Sequence, residues 1–140
     1  MAELLRTKQE LRQRLAAARA SGKTVGFVPT MGALHAGHRR LIEQSVADND
    51  LTVVSIFVNP TQFGPAEDFD RYPRRLEGDV ALAAEAGADL VFAPSVGEMY
   101  AADHSTWVEE VRLSEGLCGA RRPGHFRGVA TVCAKFFNIV

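Results

Sequence analysis

Leu51 to Val58, "LTVVSIFV", is apolar at nearly every position. A strand with one wet face alternates apolar and polar side chains; a run without that alternation is buried on both faces. Such strands sit inside parallel sheets, with helices packed above and below. Thr24 to Val28, stopped by Pro29, and Asp89 to Ala93, ahead of Pro94, read as companion strands. Thr106 to Leu113 reads as a fourth.

Helical periods fill the gaps. Thr7 to Ala20 is helical: Thr7 and Glu10 fit a capping box, and Gly22 suits the position past its end. The opening "MAELLRTKQELRQRL" is charged and helical, unlike a signal peptide. Leu34, His38, Leu41, Ile42 and Val46 recur at spacings of three and four, giving a helix over about 37–48. Arg74 to Ala86 forms another, ended by Gly87. In the last segment Val129, Val132, Cys133, Phe136, Phe137 and Val140 mark one apolar helical face. The β-α alternation predicts an α/β fold with a doubly wound parallel sheet, as one domain over 1–140.

In such sheets ligands bind beyond the carboxyl ends of the strands, where the loops 29–37 and 59–65 leave. The first loop carries His35 and His38, one helical turn apart at a helix start. That end of a helix presents unpaired N–H groups and the positive pole of the dipole, so it attracts phosphate. Gly32 and Gly37 are expected to let the ligand approach the backbone. Both imidazoles lie off the apolar stripe, so neither is expected to bear on stability. The second loop, Asn59 to Pro73, has three prolines and a glycine and is long enough to suggest function.

Composition narrows the partners. With 16 basic and 17 acidic residues the net charge is −1, which gives no electrostatic reason to expect nucleic acid or a membrane surface. No apolar run approaches the roughly 20 residues of a transmembrane helix. Cys118 and Cys133 belong to no CxxC or zinc spacing and read as free thiols of a reducing cytoplasm. His104 reads as surface loop. His125 with Arg121, Arg122 and Arg127 is either an anion-binding cluster or a solvated basic loop.

The tetrapeptide His35-Ala36-Gly37-His38 resembles the HxGH signature of nucleotidyltransferases related to class I aminoacyl-tRNA synthetases. Together with "VVSIFVNPTQFGPAEDFDRYPR", "DLVFAPSVGEMY" and "RRPGHFRGVATVCAKFFNIV", it resembles the pantothenate synthetase family. The resemblance implies a Rossmann-like fold and a dimer. It also implies ATP- and Mg2+-dependent condensation of pantoate with β-alanine through pantoyl adenylate, releasing pyrophosphate and then AMP. His35 and His38 would act on the phosphates, with Pro29, Thr30, Met31, Gly32 and Gly37 lining the ATP site. Met31, Phe57, Asn59, Gln62, Val129 and Val132 would meet pantoate, and Asp79 would stand near the magnesium. Cys133 and Phe136 depart from the family's usual residues but keep apolar character. The family pattern runs on for about as long again, so its C-terminal part, with a phosphate lysine and a second glutamine, is expected beyond Val140. Two other readings remain: a binding module that cannot complete catalysis, and another HxGH nucleotidyltransferase acting on a phosphorylated acceptor.

Overall fold

The computed structural model describes residues 1–140. Its elements are β1 (Glu3–Leu5), α1 (Lys8–Ala20), β2 (Val25–Thr30), α2 (Ala36–Asp48), β3 (Leu51–Ile56), α3 (Leu76–Glu85), β4 (Leu90–Phe92), α4 (Val96–Met99), α5 (Cys118–Arg121) and α6 (His125–Ile139). Short 3-10 turns lie at Pro60–Gln62 and Leu113–Glu115. The four strands form one sheet in the order β1-β4-β3-β2, and every pair is parallel.

Both faces of β3 are covered. Val53 joins Leu11, Leu15, Val132, Phe136 and Ile139, so α1 and α6 pack on one side. Val54 joins Ile42, Ala83 and Ala86, so α2 and α3 pack on the other. Each fully buried aliphatic side chain is worth about 1.5–3 kcal/mol, so these two layers hold the strand ends in register.

The capping box at Thr7 forms as expected. Glu10 N–H donates to Thr7 Oγ1 at 3.2 Å, and Thr7 N–H donates back to the Glu10 carboxylate at 2.9 Å. Other expectations are corrected. Pro29 does not stop β2, which runs on to Thr30. Thr24 and Thr30 accept from the Leu51 and Phe57 amides, so residues of that parity face β3. Pro29 therefore turns its missing donor away from the ladder, where it costs nothing. The helical start gives way to β1, whose partner is β4. The third helix begins at Leu76, two residues later than Arg74.

Thr106 to Leu113 is no strand. Its tie to the body is Val108, bonded through its N–H and C=O to Thr131 Oγ1, and Val111 and Leu113 stay exposed. Phe137 leaves the apolar face of α6 and is 68% exposed, while Ile139 is buried in its place. No helix is long and apolar enough to cross a membrane. Cys118 and Cys133 are unbonded.

Candidate active site

The turn from β2 to α2 is built around one buried carboxylate. Gly32 and Ala33 both take left-handed backbone, with φ of 83° and 53°. Alanine is strained there, and a fixed partner must offset it. Asp79, 4% exposed on α3, supplies that partner: its two oxygens accept Ala33 N–H at 2.9 Å and Leu34 N–H at 2.8 Å. Gly32 N–H donates to Thr30 Oγ1 at 3.1 Å, and that hydroxyl donates to Ser55 C=O. The three turn amides are thus occupied, and the expected backbone cradle moves to the first turn of α2.

The glycines have a different use from the one expected. A Cβ on Gly32 would stand 2.9 Å from Asp79 Oδ2, and one on Gly37 would stand 2.9 Å from the His35 ring. They make room for the anchor and for the imidazole. Asp79 was expected beside magnesium; its oxygens are engaged by amides, and no group of three or more His, Cys, Asp or Glu side chains is gathered anywhere. One occupied carboxylate does not make a magnesium site, so no step below runs through the metal.

His35 is the N-cap of α2. Its Nδ1 accepts Gly37 N–H at 3.1 Å, and His38 Nδ1 accepts His35 N–H at 3.3 Å, a reciprocal box built from imidazoles. A backbone N–H can only donate, so both Nδ1 atoms are acceptors and each neutral ring carries its proton on Nε2. The ring centroids are 4.2 Å apart. Two Nε2–H donors therefore leave the positive end of a 13-residue helix side by side. The expectation that the histidines are indifferent to stability is also corrected, because losing an N-cap costs about 1 kcal/mol.

Burial lowers the pKa of His38, the neighbouring His35 lowers it further, and Asp79 opposes both. A histidine depressed in the folded state binds fewer protons there than in the unfolded chain. Its contribution is therefore full above the ordinary value of 6.5 and is lost as pH falls through the lowered folded value. We expect the urea midpoint to drop between about pH 7.5 and about pH 5.5, and to drop less in His38→Asn, which keeps an acceptor that does not titrate. A wild type equally stable at the lower pH, or one that loses no more than the variant, would refute the box.

The second loop is tied down just as closely. Asn59 is 1% exposed and Gln62 is 7% exposed. Asn59 Nδ2 donates to Gln62 Oε1 and to Gly128 C=O, both at 3.1 Å. Its Oδ1 accepts Thr61 N–H, the Thr61 hydroxyl and the Tyr100 hydroxyl. Asn59, expected to touch substrate, is spent on the protein itself. Gln62 turns its Nε2 toward the Met31 sulfur. Phe57 and Val132 lie in the core beside Phe136, and Val129 is half-buried one turn before Cys133.

A cavity of about 270 Å³ opens at the strand ends, lined by Met31, Gly32, Phe57 and Asp79, with Arg6 and Arg75 on its rim. Val129, Val132, Gln62 and the histidines lie outside it. The basic loop resolves toward internal contacts. Arg122 pairs with Glu67, whose pKa it pulls down to about 2 with help from Gly64 N–H. His125 Nδ1 donates to Gln62 C=O at 2.8 Å and its Nε2 faces Arg122. Arg127 lies over the Trp107 ring. Sequence reasoning missed Tyr100 and the anchoring use of Asp79, and nothing local in either segment signals them.

A parallel sheet with a donor-bearing helix start at the end of its strand β2 defines an α/β protein of the open-sheet, Rossmann-like class. Comparison makes the class specific. The family profile described as Pantoate-beta-alanine ligase matches residues 3–140. The pantothenate synthetase of Fervidobacterium nodosum is 58% identical over 137 residues, covering 98% of this chain and 49% of that protein. The one of Moorella thermoacetica is 59% identical over 138 residues, 99% of this chain and 49% of that protein. The crystal structure of pantothenate synthetase from Thermus thermophilus superposes with a TM-score of 0.91 at 52% identity, over 99% of this chain and 49% of that one. Pantoate-beta-alanine ligase from Francisella tularensis, complexed with beta-gamma ATP and beta-alanine, gives 0.91 at 36% identity, over 99% and 53%. The chain belongs to the pantoate-beta-alanine ligase family. It spans about half the length of the relatives it matches.

Proposed function

We propose that this chain, as a single domain over 1–140, holds ATP and pantoate for an enzyme that joins pantoate to β-alanine. The observation that carries the reading is the pair of Nε2–H donors locked at the start of α2. In the proposed first step a pantoate carboxylate oxygen attacks the α-phosphorus of ATP. The bond to the bridging oxygen breaks, and pyrophosphate leaves with that electron pair. Negative charge grows on the phosphoryl oxygens as this happens. Donors already aimed there stabilise it without reorganising, which makes such groups strong contributors to catalysis.

In the second step the amine of β-alanine attacks the acyl carbon of the adenylate, AMP leaves, and the nitrogen gives up a proton. Gln62 and Met31 stand where they would meet pantoate, against the apolar wall of Phe57, Val129 and Val132, with Asn59 behind Gln62. Pro29, Thr30, Gly32 and Gly37 shape the turn beneath the phosphates. The family and the ATP complex of the Francisella tularensis protein support ATP as substrate. The proposal places the protein in the cytoplasm, as a homodimer whose partners are small molecules.

A second reading is a piece that binds but does not turn over, favoured by the half-length match to its relatives. Calorimetry of the chain with ATP and with pantoate, followed by assay of pyrophosphate release, separates the two. Binding of both ligands with release supports the enzyme, and binding without release supports the second reading. Failure to bind either ligand refutes both.

A further inference from the structure

Gln62 ends in an amide, and which of its two faces meets the pocket decides what it can recognise. Its carboxamide oxygen would ask for a donor, and its NH2 would ask for an acceptor. Backbone groups settle the choice. Thr61 N–H can only donate, so the Asn59 atom it meets at 3.2 Å is the oxygen. Gly128 C=O can only accept, so the Asn59 atom it meets at 3.1 Å is the nitrogen. The second hydrogen of that nitrogen goes to Gln62, which must turn its oxygen inward. The Gln62 NH2 is left outward, with only the Met31 thioether, a weak acceptor, as its partner.

Tyr100 closes this arrangement. Its ring is 8% exposed and stacks on Phe57 with centroids 6.3 Å apart. Its hydroxyl reaches Asn59 Oδ1 at 2.9 Å and Thr61 Oγ1 at 3.1 Å. Burial raises its pKa, so the phenol stays a donor across the working range. From the far side, His125 Nδ1–H holds the Gln62 carbonyl and stops the residue from swinging as a whole.

We propose that Tyr100 is a positioning residue that, through Asn59, locks the Gln62 amide with its NH2 toward the pocket, so that this position selects a hydrogen-bond acceptor on the substrate. The identity of that substrate as pantoate rests on the function proposed above. For a 2-hydroxy acid the matching groups are the hydroxyl oxygen and the carboxylate. An analogue that offers only a donor there is excluded, because two N–H groups would face an O–H or N–H with no lone pair between them.

The test uses the ¹⁵N-labelled chain and Tyr100→Phe, which keeps the ring stacked on Phe57 and removes only the hydroxyl. Without ligand, the Asn59 side-chain hydrogens should exchange with water at least about tenfold more slowly than a solvated amide, and Tyr100→Phe should speed them about 3- to 10-fold. With ligand, the variant should weaken pantoate by about 3- to 10-fold and leave ATP within about twofold. Asn59→Asp, which sets an oxygen against Gln62 Oε1, should act in the same direction and more strongly. Fast exchange of Asn59 in the unsubstituted chain overturns the proposal, and so does an exchange rate indifferent to Tyr100→Phe. Equal weakening of pantoate and ATP, or a variant that no longer melts cooperatively beside an inert Asn59→Asp, also overturns it. Protected Asn59 hydrogens in a chain that binds no pantoate would leave the locked amide standing and refute the proposed function instead.

Discussion

Gly128→Ala is expected to cost about 3 kcal/mol of folding stability, at the upper end of what one added methyl does in a packed interior. The position lies in the first turn of α6, where the helix crosses the 3-10 turn at Pro60–Gln62. A Cβ built there stands 2.3 Å from Thr61 O, 2.5 Å from Thr61 C and 2.6 Å from Gln62 N. All three are backbone atoms, so no side chain can rotate away. Either α6 lifts off the sheet, or the turn moves and takes Asn59 off the Gly128 carbonyl. Both routes open the face where Phe57, Val132 and Phe136 pack. Urea titration gives the stability, and a loss under about 0.5 kcal/mol would mean that the two segments are not in contact as described. Pantoate affinity should fall with it, since Gln62 rides on the displaced turn.

What was legible in the sequence is what depends on near neighbours along the chain. The Thr7–Glu10 box spans three residues and formed as read. The unbroken apolar run of β3 required two covered faces, and α1, α6, α2 and α3 cover them. The spacing of His35 and His38 put both rings at one helix start. What stayed illegible depends on partners far away in the chain. Glu3–Leu5 is a strand only because Leu90–Phe92 lies beside it. Thr106 to Leu113 has strand-like residues but no strand beside it, so its pattern went unused. The reach of Asp79 to Leu34 crosses 45 positions, and that of Tyr100 to Asn59 crosses 41. A carboxylate in "LEGDV" reads as a solvated helix residue or a metal ligand until the left-handed turn it holds is seen.

His38→Ala should have the larger effect on chemistry. In a chimera joining residues 1–140 to the remaining half of a solved relative, formation of the pantoyl adenylate should fall about 10²–10³-fold, the usual loss when one preorganised donor to a developing oxyanion is removed. Part of the change will be structural, because His38 Nδ1 also holds the His35 amide. His38→Asn separates the two roles. Its side-chain oxygen can accept from His35 N–H, but its NH2 does not stand where Nε2–H stood. Stability should therefore recover while the rate stays low. If the box were the whole function of His38, asparagine would restore both. Rapid-quench measurement of adenylate, beside urea titration of each variant, decides between them. A His38→Ala protein that forms adenylate at the parent rate would remove the imidazole pair from the chemistry and leave it as a helix cap.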